Sequence, residues 1–96
     1  MSGVQLRRYT LQPGSTDDFL VAWREARVVR EQYGFTVALA VVDREVEGFV
    51  WVVTHDGDFA AADRVYYESP ERAALAVDPA SFVAEKWISM VEPEVI

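Results

Sequence analysis

The run Phe49-Val50-Trp51-Val52-Val53-Thr54-His55 is apolar at odd and even positions alike. Side chains on a strand alternate between the two faces of its sheet, so a strand with one face in water alternates apolar with polar. Here both faces must be covered. A chain of 96 residues builds one core and holds too little material to cover both faces by itself. A single domain over residues 1–96 is therefore expected, with helices on one sheet face and further protein on the other.

The flanking segments supply the rest of the sheet and the helices. Val4 to Leu11 reads as a first strand, with Val4, Leu6, Arg8 and Thr10 on one face and Gln5, Arg7, Tyr9 and Leu11 on the other. Pro13-Gly14 turns the chain. Ser15 or Thr16 can cap a helix that carries Asp17 and Asp18 in its first turn and runs to about Tyr33. Its apolar stripe is Phe19, Ala22, Trp23, Ala26, Val29 and Tyr33, with Arg24, Glu25, Arg27 and Glu31 largely off it. Gly34 suits the left-handed position that ends such a helix.

Phe35 to Val42 is a second two-sided strand, and Asp43 to Gly48 is a polar hairpin connection into Phe49–His55. Asp58 can cap a second helix, Phe59 to about Glu68, with Phe59, Ala62, Val65 and Tyr66 inward. Ser69-Pro70 restarts the chain for a further turn or two. Ser81 to Val91 is a last strand. Phe82, Ala84, Lys86, Ile88 and Met90 take one of its faces; Val83, Glu85, Trp87, Ser89 and Val91 take the other.

The order strand, helix, strand, strand, helix, strand is the split βαβ pattern of ferredoxin-like α+β folds. It predicts a four-stranded antiparallel sheet with both helices on one face. The other face would expose several large apolar side chains, each worth about 1.5–3 kcal/mol when buried. A second copy of the same chain is the expected cover, because two-fold dimers are the commonest oligomers.

The net charge of −7 and the pI of about 4.5 repel phosphate backbones and anionic lipid, so no nucleic acid or membrane partner is expected. Cysteine is absent, which removes disulfides, thiolate metal sites and thiol nucleophiles together. The longest apolar run, Val37 to Val42, is far too short to span a bilayer. Met1-Ser2-Gly3-Val4, with Arg7 and Arg8 close behind, lacks the shape of a signal peptide. A cytoplasmic protein is expected.

Three segments carry a resemblance. Leu6-Arg7-Arg8-Tyr9-Thr10-Leu11-Gln12-Pro13-Gly14, Phe49-Val50-Trp51 and Tyr66-Tyr67-Glu68-Ser69-Pro70-Glu71-Arg72 together resemble a NIPSNAP-type domain of the wider dimeric α/β-barrel group. The resemblance implies a ferredoxin-like protomer that pairs sheet to sheet. For function it implies little, since most members have no known activity. The trafficking roles suggested for the longer animal proteins do not transfer well to a chain without their targeting extension. Related dimeric-barrel families include cofactor-free monooxygenases, decarboxylases and haem enzymes, with pockets between sheet and helices.

Few residues offer chemistry. His55 is the lone histidine, so no pair of histidines can hold a metal within the chain. At the strand end, beside Asp56 and on the face of Trp51, it could act as a general base; its plainer role is a rim residue bonded to the turn. Arg7 and Tyr9 share a face of the first strand. If that face meets the helices, Arg7 can bind an anion and Tyr9 donate a hydrogen bond in a pocket with Trp51 and His55. If it meets a partner sheet, Arg7 pairs instead with a carboxylate such as Glu85, and Arg8 carries the same ambiguity from the opposite face.

Tyr66 and Tyr67 point about 100° apart on a helix, so one can be core while the other caps a cleft. Trp23 and Trp87, by spacing, suit a core more than a ligand platform. Lys86 has the setting of an edge-strand lysine, or of a buried reactive one. No glycine loop, serine elbow or metal cluster is present in the sequence, and a strand-end His55 makes a poor haem ligand. No cofactor or metal is expected.

The expected protein is thus a small homodimer, paired through the sheet face. It would bind a small hydrophobic or aromatic molecule, or a protein, using Trp51, Tyr66 and Trp23. The alternative is a cofactor-independent monooxygenase- or isomerase-type enzyme with His55 as base and Arg7 and Tyr9 holding an oxyanion.

Overall fold

The computed structural model describes residues 3–96, so the reading of Met1 and Ser2 lies outside the described residues. Strand β1 (Gly3–Leu11) leads through a turn to helix α1 (Thr16–Gln32), then to the hairpin of β2 (Phe35–Asp43) and β3 (Gly48–His55). Helix α2 (Phe59–Tyr67), a short α3 (Pro70–Ala73) and a 3-10 turn (Pro79–Phe82) precede the last strand, β4 (Val83–Met90). The sheet is antiparallel in the order β2-β3-β1-β4. This is the expected ferredoxin-like arrangement, with β1 and β3 central.

Local chemistry accounts for the element ends. Asp58 accepts the Ala61 N–H at 3.1 Å and Ser69 accepts the Arg72 N–H at 3.1 Å, so both expected caps form. Gly34 closes α1 at φ +90°, where a side chain is strained. Ser15 departs from expectation. Its hydroxyl donates backwards to the Gln12 carbonyl at 2.7 Å instead of capping α1. Thr16 reaches Glu47 at 3.5 Å.

The structure also decides the faces. Gln5, Arg7, Tyr9 and Leu11 of β1, with Phe49, Trp51, Val53 and His55 of β3, lie under the helices. Phe19, Trp23, Phe35, Phe59 and Tyr66 close the core above them. Along β2 and β4 the simple alternation breaks. Val37 pairs with Val53 but Leu39 pairs with Val52, so Ala38 is a bulge residue. Likewise Leu11 pairs with Val83 but Thr10 with Glu85, which makes Ala84 the extra residue of β4. Val83 therefore joins the helix face with Lys86 and Ile88, where strict alternation had assigned it to the other.

Two further positions correct the sequence reading. Val65 is exposed, because Phe59, Ala62 and Tyr66 turn α2 so that Asp63 points inward and Val65 outward. Trp87 is 48 % exposed and lies on the open sheet face, under the Arg8 guanidinium at 5.4 Å. It is not core. The described chain measures 39 × 38 × 17 Å, a thickness that admits one sheet and one layer of helices. Leu39, Val41 and Trp87 on the far face are accordingly open in the protomer. Among the described residues, no helix is long and apolar enough to cross a membrane.

Candidate functional site

A cavity of about 180 Å³ lies between the sheet and the helices. Arg7, Tyr9 and Trp51 form its floor; α1 supplies Trp23, Ala26 and Arg30. Tyr66 and Tyr67 close one side from the end of α2, and Arg72 stands beside them in α3. The 3-10 turn and the start of β4 form the remaining edge, with Lys86 and Glu85 exposed there. The deep residues are buried and this edge is wet, so the space runs from core to surface.

The aromatic wall is built by T-shaped packing. Trp23 meets Trp51 with ring centroids 5.5 Å apart and Phe49 at 5.0 Å, separations at which edge-to-face pairs attract. Tyr66 is buried, and its hydroxyl donates to the Ala26 carbonyl at 3.4 Å. Burial pushes the Tyr66 phenol up, against the opposing pull of Arg30 and Arg72.

A charged cluster sits under that wall. Arg30, 2 % exposed, donates to Asp63 at 3.0 Å and to the Tyr67 hydroxyl at 3.0 Å. Its guanidinium stacks over Tyr66 at 4.3 Å and Phe35 at 4.8 Å. Arg7, 6 % exposed, donates through Nε to Gln5 at 2.7 Å. Through Nη1 it donates to the hydroxyls of Tyr9 and Tyr67, both at 3.1 Å. Its Nη2 comes only to 4.0 Å of Asp63. Burial would lower the Arg7 pKa, but Tyr67 and Tyr9 outweigh it and the net shift is upward. Arg7 is thus a fixed positive charge.

Five of the nine Lys and Arg residues line the cavity, against a single carboxylate, Glu85. In a chain of net charge −7, this concave, partly dehydrated space is where an anion is drawn.

Arg7, Tyr9, Trp23, Trp51 and Tyr66, all singled out in the sequence, meet at this one cavity. His55 does not join them. It stands four residues along β3 from Trp51, about 13 Å at strand spacing, with its ring against Phe35 at 4.9 Å. Its Nδ1 accepts the Gly57 N–H at 2.9 Å, so the turn backbone orients the imidazole in place of the Asp56 carboxylate. Arg7 does not reach for Glu85 either, since it faces the helices.

Arg30 and Asp63 have no role in the sequence reading, whereas Tyr67, there a helix-end tyrosine able to cap a cleft, accepts from both arginines through its hydroxyl oxygen. Arg30 falls on the α1 stripe, at the spacing 19, 23, 26, 30, and a charged residue at such a position signals a buried partner. Asp63, one helical turn after Phe59, carries the same signal. Among the described residues, no three His, Asp or Glu side chains converge to hold a metal ion.

Known proteins of this shape are numerous. An uncharacterized NIPSNAP domain protein from Burkholderia xenovorans superposes with a TM-score of 0.81 at 17 % identity, covering 98 % of this chain and 95 % of that one. A NIPSNAP family protein from Agrobacterium tumefaciens gives a TM-score of 0.84 at 13 % identity, over 98 % and 94 % of the two chains. A structure described as an antibiotic biosynthesis monooxygenase gives 0.67 at 15 % identity, over 99 % of this chain and all of that one. No family model and no curated protein matches the sequence. At such identities the likeness establishes the fold, which is that of the NIPSNAP domain proteins and the antibiotic-biosynthesis-monooxygenase-like α+β structures.

Proposed function

We propose that this single-domain chain works as a homodimer, paired through its open sheet face, and that each protomer holds one small aromatic molecule between sheet and helices. The carrying observation is the cavity itself: about 180 Å³ with Trp23, Trp51, Tyr9, Tyr66 and Tyr67 on its walls. A cavity of about 150 Å³ in a hydrophobic core accommodates benzene, so this one suits a single substituted ring. A cytoplasmic setting accords with the cysteine-free composition.

The enzyme alternative draws support from neighbours described as monooxygenases. Against it, the lone histidine meant to serve as base is not on the cavity wall. Binding is the better supported reading.

A thermal-shift screen with single-ring aromatic compounds tests it. Compounds that occupy the cavity raise the melting temperature of the wild type and of His55→Ala alike. They fail on Ala26→Leu, which pushes a larger side chain into the space. If His55→Ala abolishes the stabilisation, the ligand lies at the other end of β3 and the assignment of the cavity falls.

A further inference from the structure

We infer that the molecule taken up by the cavity is an aromatic carboxylic acid, bound as its anion with the carboxylate against Arg7, Tyr9 and Tyr67. This rests on the cavity being a ligand site and goes on to assign the ligand's charge.

The Tyr67 oxygen accepts from Arg7 at 3.1 Å and from Arg30 at 3.0 Å, and the Tyr9 oxygen accepts from Arg7 at 3.1 Å. A phenol that accepts still has its own O–H to give. Among the described residues, neither hydroxyl finds an acceptor. Arg7 Nη2 has none closer than Asp63 at 4.0 Å. The indole N–H groups of Trp23 and Trp51 are buried in the same wall without a partner. At its Arg7 end the site therefore offers more donors than acceptors, and the two indole N–H groups are buried donors without a partner, which is costly.

Charge points the same way. Arg7 and Arg30 share one carboxylate, Asp63, so the buried cluster retains one positive charge. Around it, Arg27 is paired with Glu31 and Arg72 with Asp78, both at 2.9 Å. Lys86 and Glu85 stand at the wet edge. A carboxylate brings acceptors only and cancels the residual charge. An amide of the same shape cancels no charge and brings two N–H donors to a wall whose hydroxyl oxygens already accept from Arg7 and Arg30. The ring is asked for by Trp23, Trp51 and Tyr66, and the volume leaves space for one.

Benzoate and benzamide, matched in shape and different in charge, form the test, with acetate as the ringless anion at equal ionic strength. Binding is followed by the indole N–H resonances of Trp23 and Trp51, with Trp87 on the far sheet face as the internal control. Benzoate should bind at least about tenfold more tightly than benzamide, the discrimination expected of hydrogen bonds to a charged group. Tyr67→Phe keeps the ring, removes one hydroxyl of the carboxylate seat together with the acceptor that Arg7 and Arg30 share, and should weaken benzoate binding more than benzamide binding, narrowing that preference.

Equal binding of benzoate and benzamide overturns the acid assignment and leaves the aromatic cavity standing. Acetate binding as well as benzoate overturns the aromatic part. A preference untouched by Tyr67→Phe overturns the seat assigned to the carboxylate. If neither ring compound moves the Trp23 or Trp51 signals, this inference and the proposed cavity function fall together.

Discussion

Asp63 is the only carboxylate within 4.0 Å of either Arg7 or Arg30 among the described residues, at 4.0 Å from the first and 3.0 Å from the second. Removing it and removing one of its partners are therefore unequal changes. Asp63→Asn leaves two buried guanidiniums facing each other without compensation. Arg30→Met leaves Arg7 and Asp63, a balanced pair, and fills the stacked site over Tyr66 with an apolar side chain. Breaking a buried ion pair by deleting one charge costs about 3–5 kcal/mol. The Asp63 side chain keeps 23 % of its surface in water, which places Asp63→Asn near 3 kcal/mol by the same rule. Urea unfolding at one fixed protein concentration should show Asp63→Asn less stable than Arg30→Met. The opposite order would mean that stacking, and not charge balance, governs the cluster.

The stretch from α3 to β4 makes one edge of the cavity. A four-residue helix and a four-residue 3-10 turn are too short to hold their shape by backbone hydrogen bonds alone, so side chains pin them. Arg72 holds Asp78 at 2.9 Å, and Asp78 also accepts the Ala80 N–H at 2.9 Å. Partial burial works to raise the Asp78 pKa, but the Ala80 N–H and Arg72 outweigh it, and the carboxyl ends below its usual range. A depressed folded-state pKa contributes stability that is complete above the unfolded value, about 3.9, and is lost as pH falls through the folded value. Asp78→Asn should therefore lower the melting temperature at neutral pH, and the two melting curves should converge once the pH drops well below about 4. A gap that persists in acid would assign the loss to packing. These joints also mark how far the sequence could be read. Asp58, Ser69 and Gly34 announced their elements because capping and left-handed backbone depend on the residue itself. The bulges at Ala38 and Ala84 carried no such mark, since either alanine fits a regular strand and the extra residue shows only against the partner's register. Arg30 stayed hidden for a related reason: its place on the stripe was legible, but Asp63 and Tyr67, which make its burial possible, belong to another helix.

For the molecule as a whole, a slab 17 Å thick has two layers and one face that no element among the described residues covers. Leu39 and Val41 of β2 are 50 % and 47 % exposed there, beside the half-buried Val50 and Val52 of β3 and the Trp87 ring of β4. The two bulges matter at this scale, for by shifting the phase of the outer strands they keep Leu39, Val41 and Trp87 on the face of Val50 and Val52. Contiguous apolar surface of this kind is what protein interfaces are made from. The proposed dimer closes two such faces against each other, at the roughly 10 Å separation of stacked sheets. It also predicts a coupling between assembly and stability, because a partner that binds only the folded protomer raises the melting temperature with concentration. Leu39→Lys separates the two. In a lone protomer the change sits on an exposed surface position and costs within about 0.5 kcal/mol, whereas in the dimer it buries a charge in the apolar seam. At micromolar concentration the wild type should sediment as two copies of the 10.8 kDa chain and melt higher as it is concentrated. Leu39→Lys should sediment as one copy, with a melting temperature that no longer depends on concentration. A wild type that sediments as one copy would leave the apolar face to some other partner, while the cavity on the opposite side of the sheet would keep its geometry.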